Sequence, residues 1–139
     1  MTVVMDANAL IYALMGQKSD KELIVKNHII APELIFPEAA NVLRKYESMG
    51  VFGRNVERKV TELLQVGYTF VDQVHPHDSD LMSRALAHSI ASGHSTYEWV
   101  YLELAKKYSG YLLTYDKKLR KLASHEGVVC FPANTEVEG

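Results

Sequence analysis

Residues 2–16, TVVMDANALIYALMG, join a strand pattern to a helix pattern across one acidic residue. Thr2 to Met5 is short, apolar and largely β-branched, with no polar alternation, which is the pattern of a strand buried on both faces. Asp6 closes it. From Asn8 to Met15 the apolar residues fall at positions 9, 10, 11, 13 and 14, which suits a helix packed on a sheet, and Gly16 supplies the stop. A buried strand running into such a helix, with a carboxylate at the junction, opens a βαβ unit.

The same alternation continues outward. Ser19 or Asp20 can cap a short helix to about Lys26, and His28-Ile29-Ile30-Ala31 reads as a second strand. Pro32 is a good first helical residue for a segment running to Gly50. Pro37 predicts a break or kink inside it, because proline lacks an N–H and crowds the preceding turn, and this puts Glu38 at a helix beginning. Asn55 to Val66 is a further helix, Tyr68 to Val71 a short strand, and Asp78, Ser79 or Asp80 caps a helix that stops at Gly93. Ser95-Thr96-Tyr97-Glu98 opens another helix, which ends near Ser109-Gly110. Tyr111 to Thr114 is a strand, Asp116 to Ala123 a short basic helix, and Val128 to Phe131 a last strand. Strands alternating with helices predict an α/β class, a three-layer α/β/α arrangement around a mostly parallel sheet of about five strands.

A chain of 139 residues, 47% of them hydrophobic, can bury one core and is too short for two ordinary domains. One domain over residues 1–133 is expected, with a loose tail from Asn134 to Gly139. The single cysteine, Cys130, cannot form an internal disulfide, and its apolar neighbours Val129 and Phe131 read as a buried core thiol. No basic segment followed by an apolar one opens the chain, and no run reaches the ~18 apolar residues of a membrane helix, so a cytoplasmic protein without membrane contact is expected. A net charge of −2 excludes a global basic field, so nucleic-acid binding would depend on local patches.

In an open parallel sheet, sites form beyond the carboxyl ends of the strands, where the strand order reverses. Asp6 follows the first strand and Asp116 follows the strand ending at Thr114. If those strands are neighbours, two carboxylates meet at one rim, where each raises the pKa of the other unless a cation lies between them. Glu38 and Glu98, both at helix beginnings, can reach the same rim. A hard divalent ion, Mg²⁺ or Mn²⁺, is the economical partner for such an all-oxygen set.

The order Asp6, Glu38, Glu98, Asp116 resembles the PIN-domain family and, more narrowly, its VapC-like toxin branch. Three segments carry the resemblance: VVMDANALIYAL with Asp6, APELIFPEAANVLRK with Glu38, and HSTYEWVYLELAKKYSGYLLTYDKKL with Tyr97, Tyr101, Leu104, Ala105, Thr114 and Asp116 at family positions. Glu98 departs from it, standing where the family has aspartate. The resemblance implies a Mg²⁺- or Mn²⁺-dependent ribonuclease with the four acids as catalytic and metal-binding residues. It also implies an RNA substrate, a homodimer and a small antitoxin partner. Asn8 and Thr114 are then candidates to hydrogen-bond the ligating carboxylates, and Lys117, Lys118, Arg120 and Lys121 to hold the RNA backbone.

Each assignment has a plainer counterpart. Asp6, Asn8 and Asp116 are acceptable N-caps, Glu38 is a favourable charge in a first helical turn, and Ser95 to Glu98 matches a capping box. The basic run after Asp116 can be a solvated helix face, and His75 and His77 solvated loop residues, with no ligand spacing for zinc. Two other functional classes stay open: a degenerate PIN-like RNA- or protein-binding module, and a haloacid-dehalogenase-like phosphatase using Asp6 as nucleophile. Asn8 counts against the latter, which needs a second aspartate two residues on. The chain has no Gly-x-Ser-x-Gly elbow, P-loop or Gly-x-Gly-x-x-Gly motif.

Overall fold

A computed structural model describes residues 1–16 and 18–133. The expected loose tail, 134–139, lies outside the described residues. The elements are β1 (Thr2–Met5), α1 (Ala7–Leu14), α2 (Lys18–Lys26), β2 (His28–Pro32), α3 (Ile35–Ser48), α4 (Glu57–Thr69), β3 (Gln73–His75), α5 (Ser79–Ser92), α6 (Thr96–Lys107), β4 (Tyr111–Leu113), α7 (Lys117–His125) and β5 (Cys130–Phe131). The five strands form one sheet in the order β3-β2-β1-β4-β5, and every neighbouring pair is parallel.

The period-two alternation of strands divides the core between the two faces. Val3, Met5, Ile29, Ala31 and Leu113 face α1, α2, α3 and α4, whereas Val4, Ile30 and Leu112 face α5, α6 and α7. That makes three layers, as the uninterrupted apolar reading of β1 requires. Because β2 and β3 lie on one side of β1 and β4 on the other, the strand order reverses between β1 and β4. Their register pairs Met5 with Leu113, so Asp6 and Thr114 emerge side by side at the carboxyl rim.

Several local expectations need correction. Pro32 ends β2, paired with His75, and does not open a helix. Pro37 neither breaks nor kinks α3: it sits in the first turn, whose N–H groups have no intrahelical acceptor, and the ladder begins at Glu38 N–H to the Leu34 carbonyl at 3.2 Å. Tyr68 to Val71 is not a strand. There α4 runs on through Thr69, because the buried Gly67 lies against Leu10 and Leu14 of α1 and Tyr68 stacks on Phe36 at 3.7 Å. The strand forms at Gln73, after the helix has ended. At the other edge β5 is confined to Cys130 and Phe131, and Cys130 is half-buried where a core thiol was expected. Asp20 lies within α2, so it is not the cap of that helix. Among the described residues no helix is long and apolar enough to cross a membrane.

Candidate active site

Four segments deliver the four acids to the walls of one cavity of about 140 Å³. Asp6 is the N-cap of α1 and is buried; its Oδ1 accepts from Ala9 N–H at 2.9 Å, and its Oδ2 accepts a short hydrogen bond from the Thr114 hydroxyl. Thr114 is fully buried and also accepts from Asp116 N–H at 3.1 Å, so one hydroxyl ties the two aspartate segments together. Asp116 is the exposed N-cap of α7, its Oδ1 taking the N–H groups of Lys118 at 2.9 Å and Leu119 at 3.1 Å. Both aspartates are therefore caps as well as rim acids, and in Asp6 the cap uses Oδ1 while Thr114 holds Oδ2.

Glu38, in the first turn of α3, accepts from the Tyr101 hydroxyl on α6 at 2.6 Å. Glu98 stands at the start of α6 in a complete capping box: Glu98 N–H donates to Ser95 Oγ at 3.2 Å, and Ser95 N–H donates to Glu98 Oε1 at 3.4 Å. Its other oxygen lies 3.3 Å from His94 Nδ1. Asn8 is exposed on the same cavity wall.

Electrostatics mark the site. Burial pushes the Asp6 carboxyl up to about 6, with the nearby charges of Asp116 and Glu38 adding to the rise and the Thr114 and Ala9 hydrogen bonds opposing it. Glu38 is also raised by burial, partly offset by the Tyr101 bond and by His77. Burial and the charge of Glu38 drive Tyr101 far up, so its hydroxyl stays protonated and donates. Asp6 thus feels Asp116 and Glu38, yet among the described residues no three of His, Cys, Asp and Glu stand close enough to make a ready cage for an ion. The chemistry of the donor set still fits a hard divalent cation: it is all oxygen, a raised carboxyl lies at its base, and among the described residues no hydrogen bond engages Asp116 Oδ2 or Glu38 Oε2. A larger cavity of about 330 Å³ lies between α5 and α6, lined by Asp80, Arg84, His88, Glu103, Lys106 and Lys107 and by none of the four acids.

The basic run divides. Lys117, Lys118 and Lys121 are exposed, whereas Arg120 is buried, with its guanidinium donating to the Thr114 carbonyl at 2.9 Å and the Pro132 carbonyl at 2.7 Å. Arg120 is therefore a brace beneath the Thr114 segment and is not placed to hold RNA. His75 is not a solvated loop residue, since it ends β3 in a buried position near Lys107 Nζ, at 3.4 Å; His77 does lie in the loop that follows, half-buried, where its Nε2 accepts from Leu34 N–H at 3.1 Å. Reading by residue type overlooked the hydrogen-bonding part of Tyr101, whose partner lies 63 positions away and leaves no local signal.

No protein-family model and no curated protein matches the chain. Solved structures do. PAE2754 from Pyrobaculum aerophilum superposes with a TM-score of 0.73 at 22% identity, over 94% of this chain and 83% of that one. A toxin–antitoxin complex from Klebsiella pneumoniae gives 0.63 at 18% identity, covering 91% and 95%. VapBC2 from Rickettsia felis, bound to a DNA fragment from its promoter, gives 0.65 at 11% identity, covering 94% and 97%. The all-parallel β3-β2-β1-β4-β5 sheet, its two helical layers and these superpositions show that this chain has the fold of these structures, the fold that its resemblance to VapC-like PIN domains implies.

Proposed function

We propose that this chain is a metal-dependent endoribonuclease, the toxin of a VapBC-type pair, with Asp6, Glu38, Glu98 and Asp116 holding Mg²⁺ or Mn²⁺. The observation that carries the reading is the convergence of four acids from four distant segments at the point of strand reversal, with Asp6 pushed up to about 6 by burial and by its acidic neighbours. When bound, the cation supplies a Lewis acid for the phosphodiester and makes water acidic enough to attack at neutral pH. The protein's own part is positioning. Thr114 fixes Asp6 and, through the Asp116 N–H, the start of α7; Tyr101 fixes Glu38; the exposed Lys117 and Lys118 offer charge to an RNA backbone beside Asp116. No side-chain nucleophile is required. In this reading the chain works in the cytoplasm as a homodimer, and a small antitoxin covers the acid cavity.

One observation favours a second reading, a PIN-like binding module without catalysis: Glu98 is already engaged by Ser95 and His94, and no three acids stand as a compact group. Incubation of the purified chain with single-stranded RNA separates the two. Cleavage that needs Mg²⁺ or Mn²⁺ and stops with chelator is expected. Lys117→Ala with Lys118→Ala should raise KM and flatten the salt dependence, by a slope of roughly 0.7 per lost phosphate contact, while Mn²⁺ affinity stays unchanged. RNA that remains intact across the whole Mn²⁺ titration selects the binding module.

A further inference from the structure

Asp20 is a buried carboxylate that the chemistry above does not use. It lies in α2 at 2% exposure, and the Tyr115 hydroxyl donates to its Oδ2 at 2.5 Å across 95 positions of sequence. The Tyr115 ring packs edge-on against Tyr12 of α1, centroids 4.8 Å apart. Tyr115 sits between Thr114, which holds Asp6, and Asp116, the cap of α7. From the first turn of α2 the contact reaches the segment that follows β4. What it provides is position. With its ring held by Tyr12 and its hydroxyl by Asp20, Tyr115 cannot pivot, and Arg120 holds the Thr114 carbonyl at 2.9 Å from a second direction. The 114–116 backbone is thereby fixed, and with it the place of Asp116 relative to Asp6.

We infer that Asp20 is a remote positioning residue for the acid site, acting through the Tyr115 hydroxyl to set where Asp116 meets a divalent ion. The inference rests on the reading of the four acids as a metal site. Calorimetric Mn²⁺ titration and metal-free thermal midpoints, measured on the whole chain, test both and tell them apart. Tyr115→Phe removes one oxygen and keeps the ring on Tyr12; it should weaken Mn²⁺ binding about tenfold. Asp20→Asn keeps an acceptor for the hydroxyl and should stay within about twofold of wild type. In the double variant Asp20→Asn/Tyr115→Phe the uncompensated buried charge left by Tyr115→Phe is gone, so the midpoint should recover while Mn²⁺ affinity stays as low as in Tyr115→Phe. Recovery of stability without recovery of affinity is the signature of positioning. If Tyr115→Phe binds Mn²⁺ as wild type does and loses only thermal stability, the contact is structural and the inference is overturned. If wild type itself binds no Mn²⁺, the metal site falls and the positioning role falls with it.

Discussion

Asp6→Asn is expected to reduce metal-dependent RNA cleavage by about a thousandfold or more and, without metal, to raise the thermal midpoint at neutral pH. The first effect follows from removing the charge at the base of the proposed site, where a neutral amide is a poor ligand for a hard cation. The second follows from the carboxyl's own titration. Its pKa rises from an ordinary 3.8 to about 6 on folding, mainly through burial. The folded chain therefore binds that proton more tightly than the unfolded chain, and ionising Asp6 costs stability. The cost is absent below about pH 4, grows as pH rises, and is complete above about pH 6. At about 1.4 kcal/mol for each tenfold change in proton affinity, the full cost is roughly 3 kcal/mol. Asparagine avoids it, although the Thr114 hydroxyl then loses its charged acceptor, so a net gain of roughly 1 to 2 kcal/mol and a few degrees in midpoint is expected. Thermal melts of both proteins from pH 4 to pH 8 check the sign: the advantage of Asp6→Asn should vanish toward pH 4. Wild-type cleavage by the variant would remove Asp6 from the chemistry.

Glu98 decides between the capping and metal readings, since its geometry serves the first and its place on the cavity wall allows the second. In Glu98→Gln the side chain keeps an oxygen to accept from Ser95 N–H, so the capping box survives, and losing a first-turn charge costs about 0.5 kcal/mol. The midpoint without metal should fall by no more than about 2 °C. A metal ligand, by contrast, loses its charge, so Glu98→Gln should need at least about tenfold more Mn²⁺ for half-maximal cleavage. Glu98→Asp, which restores the residue the resemblance implies, should remain active. Equal Mn²⁺ requirements in wild type and Glu98→Gln would leave Asp6, Glu38 and Asp116 as the site.

Sequence periodicity carried the architecture well where burial was two-sided. Thr2 to Met5 and His28 to Ala31 read as strands and lie inside the sheet, and the alternation with helices pointed to the parallel arrangement observed. It failed where a residue's environment was set by a distant partner. Tyr68 to Val71 has the aromatic and β-branched composition of a strand, but the fit of Gly67 against α1 extends the helix through that stretch. Arg120 was not legible from the helix pattern: it lies no nearer the apolar stripe of Leu119, Leu122 and Ala123 than Lys118 does, and what holds it inward is its bonds to the distant carbonyls of Thr114 and Pro132. The acids could be picked out because each stands at a strand end or helix start, positions with a local signature. Tyr101 and Asp20 could not, because their partners lie 63 and 95 positions away and are defined only by the fold.

The most direct test of the metal-site claim is an anomalous diffraction map from a crystal of the chain soaked in Mn²⁺. At least one anomalous peak is expected in the acid cavity, with oxygens of Asp6 and of at least two among Glu38, Glu98 and Asp116 at about 2.1 Å. A saturated crystal with no peak among these carboxylates, or with its peak elsewhere, would contradict it.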